Sequence, residues 1–258
     1  MGKRKETAAV MQQTCIAPGI YDMWIETGLA KEAKPGQFIN VYPENKSTLL
    51  PRPISICEVD KEKNAIRIVF RVAGSGTLEF SACKAGDCLR IMGPLGNGYP
   101  EIDGEVLVIG GGIGVPPMLE LAKQLKRQNP NRQVTAVLGY RDALFLKEDF
   151  EKYVPVVIAT EDGSFGTKGT VIDALRANDI KADVICSCGP TPMLRALKDY
   201  AQTNHMKCYV SLEERMGCGI GACLACVCKT KEKDEHSNVN NTRICKEGPV
   251  FLAQEVEF

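Results

Sequence analysis

The chain has 258 residues, 44% hydrophobic and 25% charged, so it is long enough for two ordinary domains with cores of their own. Its 32 basic and 32 acidic side chains balance, which gives no electrostatic argument for binding nucleic acid or an anionic membrane. Twelve cysteines, with no apolar export segment behind the basic N-terminus, favour a reducing, cytoplasmic location and metal chemistry.

Residues 1–100 alternate short extended runs with turn residues, a pattern typical of an all-β domain. Strands are predicted at 7–16, 20–26, 37–42, 54–60, 65–72 and 87–92, with one short helix at about 76–83. Six strands at this spacing favour an antiparallel β-barrel.

Two segments of this predicted barrel suit a phosphate-bearing ligand. Arg52-Pro53-Ile54-Ser55 opens a strand after a polar loop, and its arginine and hydroxyl could grip a diphosphate. The small residues of the stretch 72–78 lead from a strand into a helix, whose free N-terminal amide groups attract anions. Both patterns are also common as ordinary turns and helix caps, so neither identifies a site alone.

Residues 101–210 alternate apolar strands with amphipathic helices, which predicts a doubly wound parallel α/β sheet. The apolar run Val106–Ile109 enters the loop Gly110–Pro117, and a helix with a clear apolar face follows. A strand, a glycine loop and a helix in this order indicate nucleotide binding, although Pro117 stands where the third glycine of the dinucleotide pattern would come.

Ligands of such sheets bind beyond the carboxyl ends of the strands, where the loop Cys188–Met193 is also expected. The same region should decide between NAD and NADP. Arg141 could meet a 2′-phosphate, but Asp142, Glu161 and Asp162 suit a free ribose hydroxyl, so the balance favours NAD.

Residues 211–258 contain the strongest motif. Cys218, Cys223 and Cys226 follow the spacing C-x4-C-x2-C, and Cys245 comes after 18 further residues. This is the plant-type ligand pattern of a [2Fe–2S] cluster. A zinc site is the main alternative, but it usually has two C-x2-C pairs. Cys228 is a fifth thiol, which we interpret as a buried neighbour rather than a ligand.

The barrel and sheet motifs together resemble the ferredoxin–NADP reductase superfamily. With the cysteine motif added, nearly the whole chain is similar to the electron transfer subunits of NAD-dependent dihydroorotate dehydrogenase B. The resemblance implies three sets of binding residues. It implies that FAD is held by Arg52, Pro53, Ile54, Ser55, Val69, Phe70, Arg71, Gly76 and Thr77; the NAD substrate by Gly111, Gly112, Gly114, Cys188, Gly189 and Pro190; and the cluster by Cys218, Cys223, Cys226 and Cys245.

The resemblance also implies a FAD-binding barrel (1–100), an NAD-binding α/β domain (101–210) and a [2Fe–2S] domain (211–258). The partner would be an FMN-containing dihydroorotate dehydrogenase catalytic subunit, in a heterotetramer of two copies of each chain, and no protein acid or base would be needed on this chain. Two rivals stay open: a reductase subunit serving ferredoxin:NADP transhydrogenation or a hydrogenase, and a zinc-holding module without catalytic activity.

Overall fold

The computed structural model of the chain describes residues 3–233 and 238–258. Its strands are β1 (Arg4–Ala17), β2 (Ile20–Glu26), β3 (Phe38–Tyr42), β4 (Arg52–Asp60), β5 (Ala65–Arg71), β6 (Cys88–Leu95), β7 (Val106–Gly111), β8 (Val134–Tyr140), β9 (Val156–Thr160), β10 (Thr167–Lys168), β11 (Val184–Cys188), β12 (Lys207–Ser211), β13 (Val227–Lys229), β14 (Asn241–Arg243) and β15 (Val250–Leu252). Its α-helices are α1 (Ser75–Ser81), α2 (Pro116–Gln128), α3 (Lys147–Glu151), α4 (Val171–Ala177) and α5 (Thr191–Thr203). None of these helices is long and apolar enough to cross a membrane.

The first six strands form a closed antiparallel barrel in the order β1-β2-β5-β4-β3-β6. Every second side chain of a strand points inward, and Met23, Ile25, Ile39, Ile56 and Ile68 fill the interior with no solvent exposure. The predicted six-stranded barrel is therefore confirmed. Helix α1 closes one end of the barrel, where Phe80 is buried.

A seven-stranded sheet follows, in the order β10-β9-β8-β7-β11-β12-β15. Its first six strands are parallel, which confirms the predicted α/β sheet. The run Val106–Ile109 is buried because helices cover both faces of the central strand.

The C-terminal segment returns to this sheet. Strand β15 pairs antiparallel with β12, and the sequence patterns did not predict this edge strand. Before it, β13 and β14 form a small hairpin. The polar composition of segment 229–243 predicts an exposed hairpin or loop. The paired strands form its two ends, and residues 234–237 lie outside the described residues.

A buried ionic network joins the barrel to the α/β sheet. Glu58 on β4 accepts hydrogen bonds from Lys123 on α2 (2.7 Å) and from Arg67 on β5 (3.2 Å). Arg67 also donates to both carboxylate oxygens of Asp22 (2.9 and 2.8 Å) and to Asp149 on α3 (3.1 Å). The Arg67 and Lys123 side chains are only 9% and 5% exposed, so the charges depend on each other rather than on water.

Replacing Arg67 should therefore destabilise the fold strongly. Arg67→Met leaves three carboxylates close together without their shared cation, and we expect the free energy of unfolding to fall by about 3–5 kcal/mol. Arg90→Met is the matched control, because Arg90 pairs with Glu44 at the surface and should cost at most about 1 kcal/mol. Urea unfolding measures both values, and equal losses in the two variants would contradict the role given to the network.

Candidate functional site

The two loops predicted to bind nicotinamide meet at the carboxyl edge of the sheet. Strands β7 and β11 are neighbours, so their following loops lie side by side. A Cβ atom added to Gly114 would lie 2.4 Å from the Cys188 carbonyl oxygen, and one on Gly111 would lie 2.4 Å from Met193 Sδ. Only residues without side chains allow this close approach. Gly112 adopts φ +53°, which also favours glycine.

The residues predicted to hold FAD surround one cavity of about 570 Å³ between the barrel and the sheet. Those that line it are Arg52, Pro53, Ile54, Ser55, Val69, Phe70, Arg71 and Thr77. Gly76 lies beneath Arg52, since an added Cβ would come 2.9 Å from Arg52 Nε. The structure thus brings this predicted set together, while its contact with FAD stays a prediction.

The chain supplies further lining residues that sequence reasoning did not assign to this cavity. They are Phe38, Ala73, Ile113, Ser211, Leu212, Glu213, Glu214, Arg215, Met216 and Pro249. One signal could have found the run 211–216: it follows the carboxyl end of β12, where sheets of this kind bind ligands. It also leads directly into the cysteine motif, so the cavity and the cysteines are joined by a few residues of backbone.

Protein surroundings raise the pKa of two neighbouring groups, Cys188 and Glu213, of which Glu213 lines this cavity. Cys188 Sγ donates to Glu213 Oε1 at 3.7 Å. Cys188 is fully buried, and this burial raises the pKa of its thiol well above the ordinary value. Solvent reaches Glu213 through the cavity, but protein surrounds its carboxyl closely, and this desolvation raises its pKa. The pair therefore links the predicted nicotinamide loop to the wall of the cavity.

A second cavity, of about 500 Å³, adjoins the first through Arg71. Gly112, Tyr140, Arg141 and Asp142 also line it. The Tyr140 hydroxyl donates to the Phe145 carbonyl at 2.7 Å, which fixes the ring at the carboxyl end of β8. Arg141 and Asp142, the residues on which the choice between NAD and NADP was argued, thus lie together at this second cavity.

The four predicted cluster ligands are arranged as two pairs. Backbone amides of Ile220, Ala222 and Cys223 donate to Cys218 Sγ at 3.3–3.4 Å. Partial burial opposes ionisation of Cys218, but these donors and the Cys223 thiol outweigh it and lower the pKa of Cys218 to about 6. A thiolate is the form that binds iron or zinc.

In the second pair, the Cys245 amide donates to Cys226 Sγ at 3.4 Å, and the two thiols interact directly. Both residues are buried, at 2% and 1% exposure, whereas Cys223 is exposed. Burial raises the pKa of Cys245 to about 12. Cys218 lies close enough to Cys245 to act on its ionisation, which places the two pairs beside each other.

This arrangement fits a binuclear iron–sulfur cluster better than a single zinc ion. Zinc needs four ligands around one centre, whereas four thiolates in a [2Fe–2S] cluster are shared between two irons. Two adjacent thiol pairs match a cluster whose four thiolates are shared between two irons.

Cys228 lies on β13, beside Cys226 but outside the two pairs. It is half-buried, and burial raises its pKa to about 11. Its described neighbours include Cys226 and Glu214, and the carboxylate disfavours a thiolate there. The structure therefore supports treating Cys228 as a neighbour of the ligands, although the ligand assignment itself stays a prediction.

Comparison with known proteins gives two family matches. The model described as the iron–sulfur cluster binding domain of dihydroorotate dehydrogenase B matches residues 213–257, and the model described as the oxidoreductase NAD-binding domain matches residues 108–199. Among curated proteins, the chain is 40% identical to the electron transfer subunit of dihydroorotate dehydrogenase B (NAD(+)) of Fusobacterium nucleatum, covering 98% of each chain. It is 41% identical to that of Geobacillus kaustophilus, also with 98% of each chain covered.

Two solved structures extend the comparison. The structure of an NADH-dependent reduced ferredoxin-NADP oxidoreductase, described in a study of flavin-based electron bifurcation, superposes with a TM-score of 0.86 and 31% identity over 97% of this chain and 89% of that one. An Amycolatopsis cytochrome P450 reductase superposes with a TM-score of 0.67 and 22% identity, covering 79% of this chain and 67% of that one. The second likeness supports the fold alone.

The fifth thiol provides a test of the ligand set. Cys226→Ser should bleach the visible iron–sulfur absorbance and lower the iron content, because oxygen replaces a buried thiolate ligand. Cys228→Ser should keep about two irons per chain and an unchanged spectrum. Each variant is the matched control of the other, since the two cysteines are two residues apart. The opposite result would make Cys228 the ligand.

Proposed function

Because the chain belongs to the family of electron transfer subunits of NAD-dependent dihydroorotate dehydrogenase B, we propose that it passes electrons from a dihydroorotate-oxidising catalytic subunit to NAD+. The electrons cross a [2Fe–2S] cluster and FAD on this chain, and the reaction serves pyrimidine synthesis. The observation that carries the proposal is the 570 Å³ cavity: the barrel motif, the glycine-loop residue Ile113 and the run leading to the cysteines share its wall.

The order of the cofactors follows from their chemistry. Nicotinamide exchanges a hydride, a cluster exchanges single electrons, and a flavin can do both, so FAD stands between them. The protein supplies binding and orientation. Arg52 and Arg71 provide cations for the flavin diphosphate, Ser55 provides a hydroxyl, and the loops at Gly111–Gly114 and Cys188–Pro190 receive the nicotinamide dinucleotide.

One contact links the two predicted cofactor sites, because Cys188 belongs to the nicotinamide loop and Glu213 lines the 570 Å³ cavity. Their 3.7 Å contact joins the nicotinamide loop to the run that precedes the cysteines. Hydride transfer moves no proton to or from the protein. The chain therefore contributes no catalytic acid or base in this proposal, and the backbone of the Cys188–Pro190 loop receives the nicotinamide end.

The partner is a catalytic subunit that oxidises dihydroorotate, and we propose that it carries FMN and forms a heterotetramer with two copies of each chain. One-electron transfer between chains requires a short path to the cluster. Cys223 is exposed, and three apolar residues close to it in the sequence, here called the apolar rim, are exposed too: Ile220, Leu224 and Val227 are 41%, 62% and 36% exposed. A patch of this kind marks a protein contact, so we place the partner there.

The same proposal divides the chain into the FAD-binding barrel (1–100), the NAD-binding domain (101–210) and the cluster domain (211–258). It also locates the protein in the cytoplasm.

A ferredoxin-NADP oxidoreductase subunit is the second candidate function, supported by the superposition at 31% identity. The identity of 40–41% to the dihydroorotate dehydrogenase subunits over 98% of both chains favours the first.

The proposal predicts two separable activities. The purified chain should oxidise NADH with ferricyanide, because that reaction needs only the nicotinamide and flavin sites, and should form no orotate from dihydroorotate. Adding the catalytic subunit should produce orotate and NADH together, measured by absorbance. The control is Cys226→Ser, which should keep the ferricyanide reaction and lose the coupled one. Orotate formation by the chain alone would overturn the proposal.

A further inference from the structure

A buried asparagine connects the barrel wall with the first cysteine loop. Asn40 lies on β3, between Ile39 and Val41, which point into the barrel. Because side chains alternate along a strand, Asn40 points to the outer face, which the C-terminal segment covers. Asn40 has no solvent exposure, and its Nδ2 donates to the Cys218 carbonyl at 3.0 Å. The residues that meet there are 178 positions apart in sequence.

The loop backbone lies directly against this amide. Gly219 adopts φ +70°, and a Cβ atom added to it would come 2.5 Å from Asn40 Nδ2. The glycine therefore permits both the left-handed turn and the contact. Phe38, two residues before Asn40 on the same outer face, packs in one cluster with Cys226 and Cys245. One short strand thus bonds the loop of the first thiol pair and shares a hydrophobic core with the second.

The same strand also borders the flavin cavity. Asn40 is paired with Pro53 of the flavin motif on β4, and Phe38 is paired with Ser55. Phe38, Pro53 and Ser55 all line that cavity. Any displacement of the cysteine loop from β3 would therefore change its position relative to the predicted flavin.

The amide is retained at a cost. Among residues 3–233 and 238–258, Asn40 Oδ1 has no hydrogen-bond partner although it is buried, and a buried polar atom without a partner lowers stability. A leucine of similar size would avoid this cost but could not bind the loop. The compensating interaction is the bond from Nδ2 to Cys218.

We propose that Asn40 is a positioning residue that holds the Cys218–Gly219 turn on the barrel and thereby fixes the cluster relative to the flavin. The proposal rests on the function proposed above. In this proposal Asn40 contacts neither cofactor. Asn40 acts through the turn that carries Cys218, the first predicted ligand.

A double-mutant cycle tests this contact. Asn40→Ala, Gly219→Ala and the double variant are prepared as full chains with flavin and cluster and assembled with the catalytic subunit. The two readouts are the rate at which a ferrous chelator removes the cluster and the rate at which NADH-reduced flavin reduces the cluster in stopped flow. Each single change should accelerate cluster loss and slow cluster reduction by at least about fivefold.

In the double variant, the changes in both rates should be smaller than the product of the two single-variant changes. The reason is that Asn40→Ala leaves room for the methyl group that Gly219→Ala adds. Reduction of the flavin by NADH should change by less than about twofold in all variants, since the hydride site is not touched. Effects that simply multiply would overturn the proposal. Asn40→Leu removes the Nδ2 donor but fills a similar space, so it keeps the test decisive if Asn40→Ala fails to fold.

Two controls separate this contact from general effects. Asn204→Ala removes an amide bond of the same kind, from Nδ2 to the Tyr200 carbonyl at 2.7 Å, at the end of α5, and should change neither rate. Val41→Ala shortens a buried side chain of β3 and lowers stability without touching the loop. If Val41→Ala accelerated cluster loss as much as Asn40→Ala, barrel packing would explain the effect of Asn40. That result would overturn its positioning role. A wild-type chain without flavin or cluster absorbance would instead refute the proposed function.

Discussion

The contact of Glu58 with Arg67 and Lys123 determines how the two halves of the molecule face each other. Glu58 lies on β4, the strand that begins with the flavin motif at Arg52, and Lys123 lies on α2, the helix that begins beside the glycine loop. Strand and helix are rigid, so the ionic contact between them sets the separation of the two motifs. Buried ion pairs add little net stability but tolerate few geometries. Glu120 strengthens the joint by accepting the Val59 amide at 2.8 Å.

The C-terminal segment extends this constraint to the cysteines. It leaves the sheet at Ser211, crosses the flavin cavity, carries the thiols and returns as β15 to pair with the strand from which it left. Asn97, just after the barrel, donates to the carbonyls of Lys246 and Glu247 at 3.3 and 2.8 Å. The segment is therefore attached to the barrel at Asn40 and at Asn97, on the two sides of the cysteine set. Electron transfer rates depend steeply on the distance between donor and acceptor. This attachment keeps the distance between the cysteines and the predicted flavin cavity constant.

The sequence predicted whatever depends on local patterns. Alternating runs and turns revealed the barrel, continuous apolar runs revealed the sheet, and the spacing of four cysteines revealed the metal chemistry. The contacts between distant segments could not be predicted, because no local period encodes them. Nothing in the sequence distinguishes Asn40 from other strand residues or indicates that its amide bonds Cys218. The contact between Glu213 and Cys188 cannot be recognised from the sequence either. Strand β15 is three residues long, too short for its alternation to be recognised.

The unequal burial of the two thiol pairs gives the cluster site a direction. Cys226 and Cys245 lie in the core that the barrel and the sheet share, whereas Cys218 and Cys223 lie towards solvent within an apolar rim. Cys226 and Cys245 would hold a bound cluster from the inner side, and Cys218 and Cys223 would hold it from the outer side. The inner pair belongs to the same core as Phe38, which lines the flavin cavity. The inner thiols would therefore face the predicted flavin and the outer thiols the proposed partner, so that burial alone distinguishes the two sides of the site.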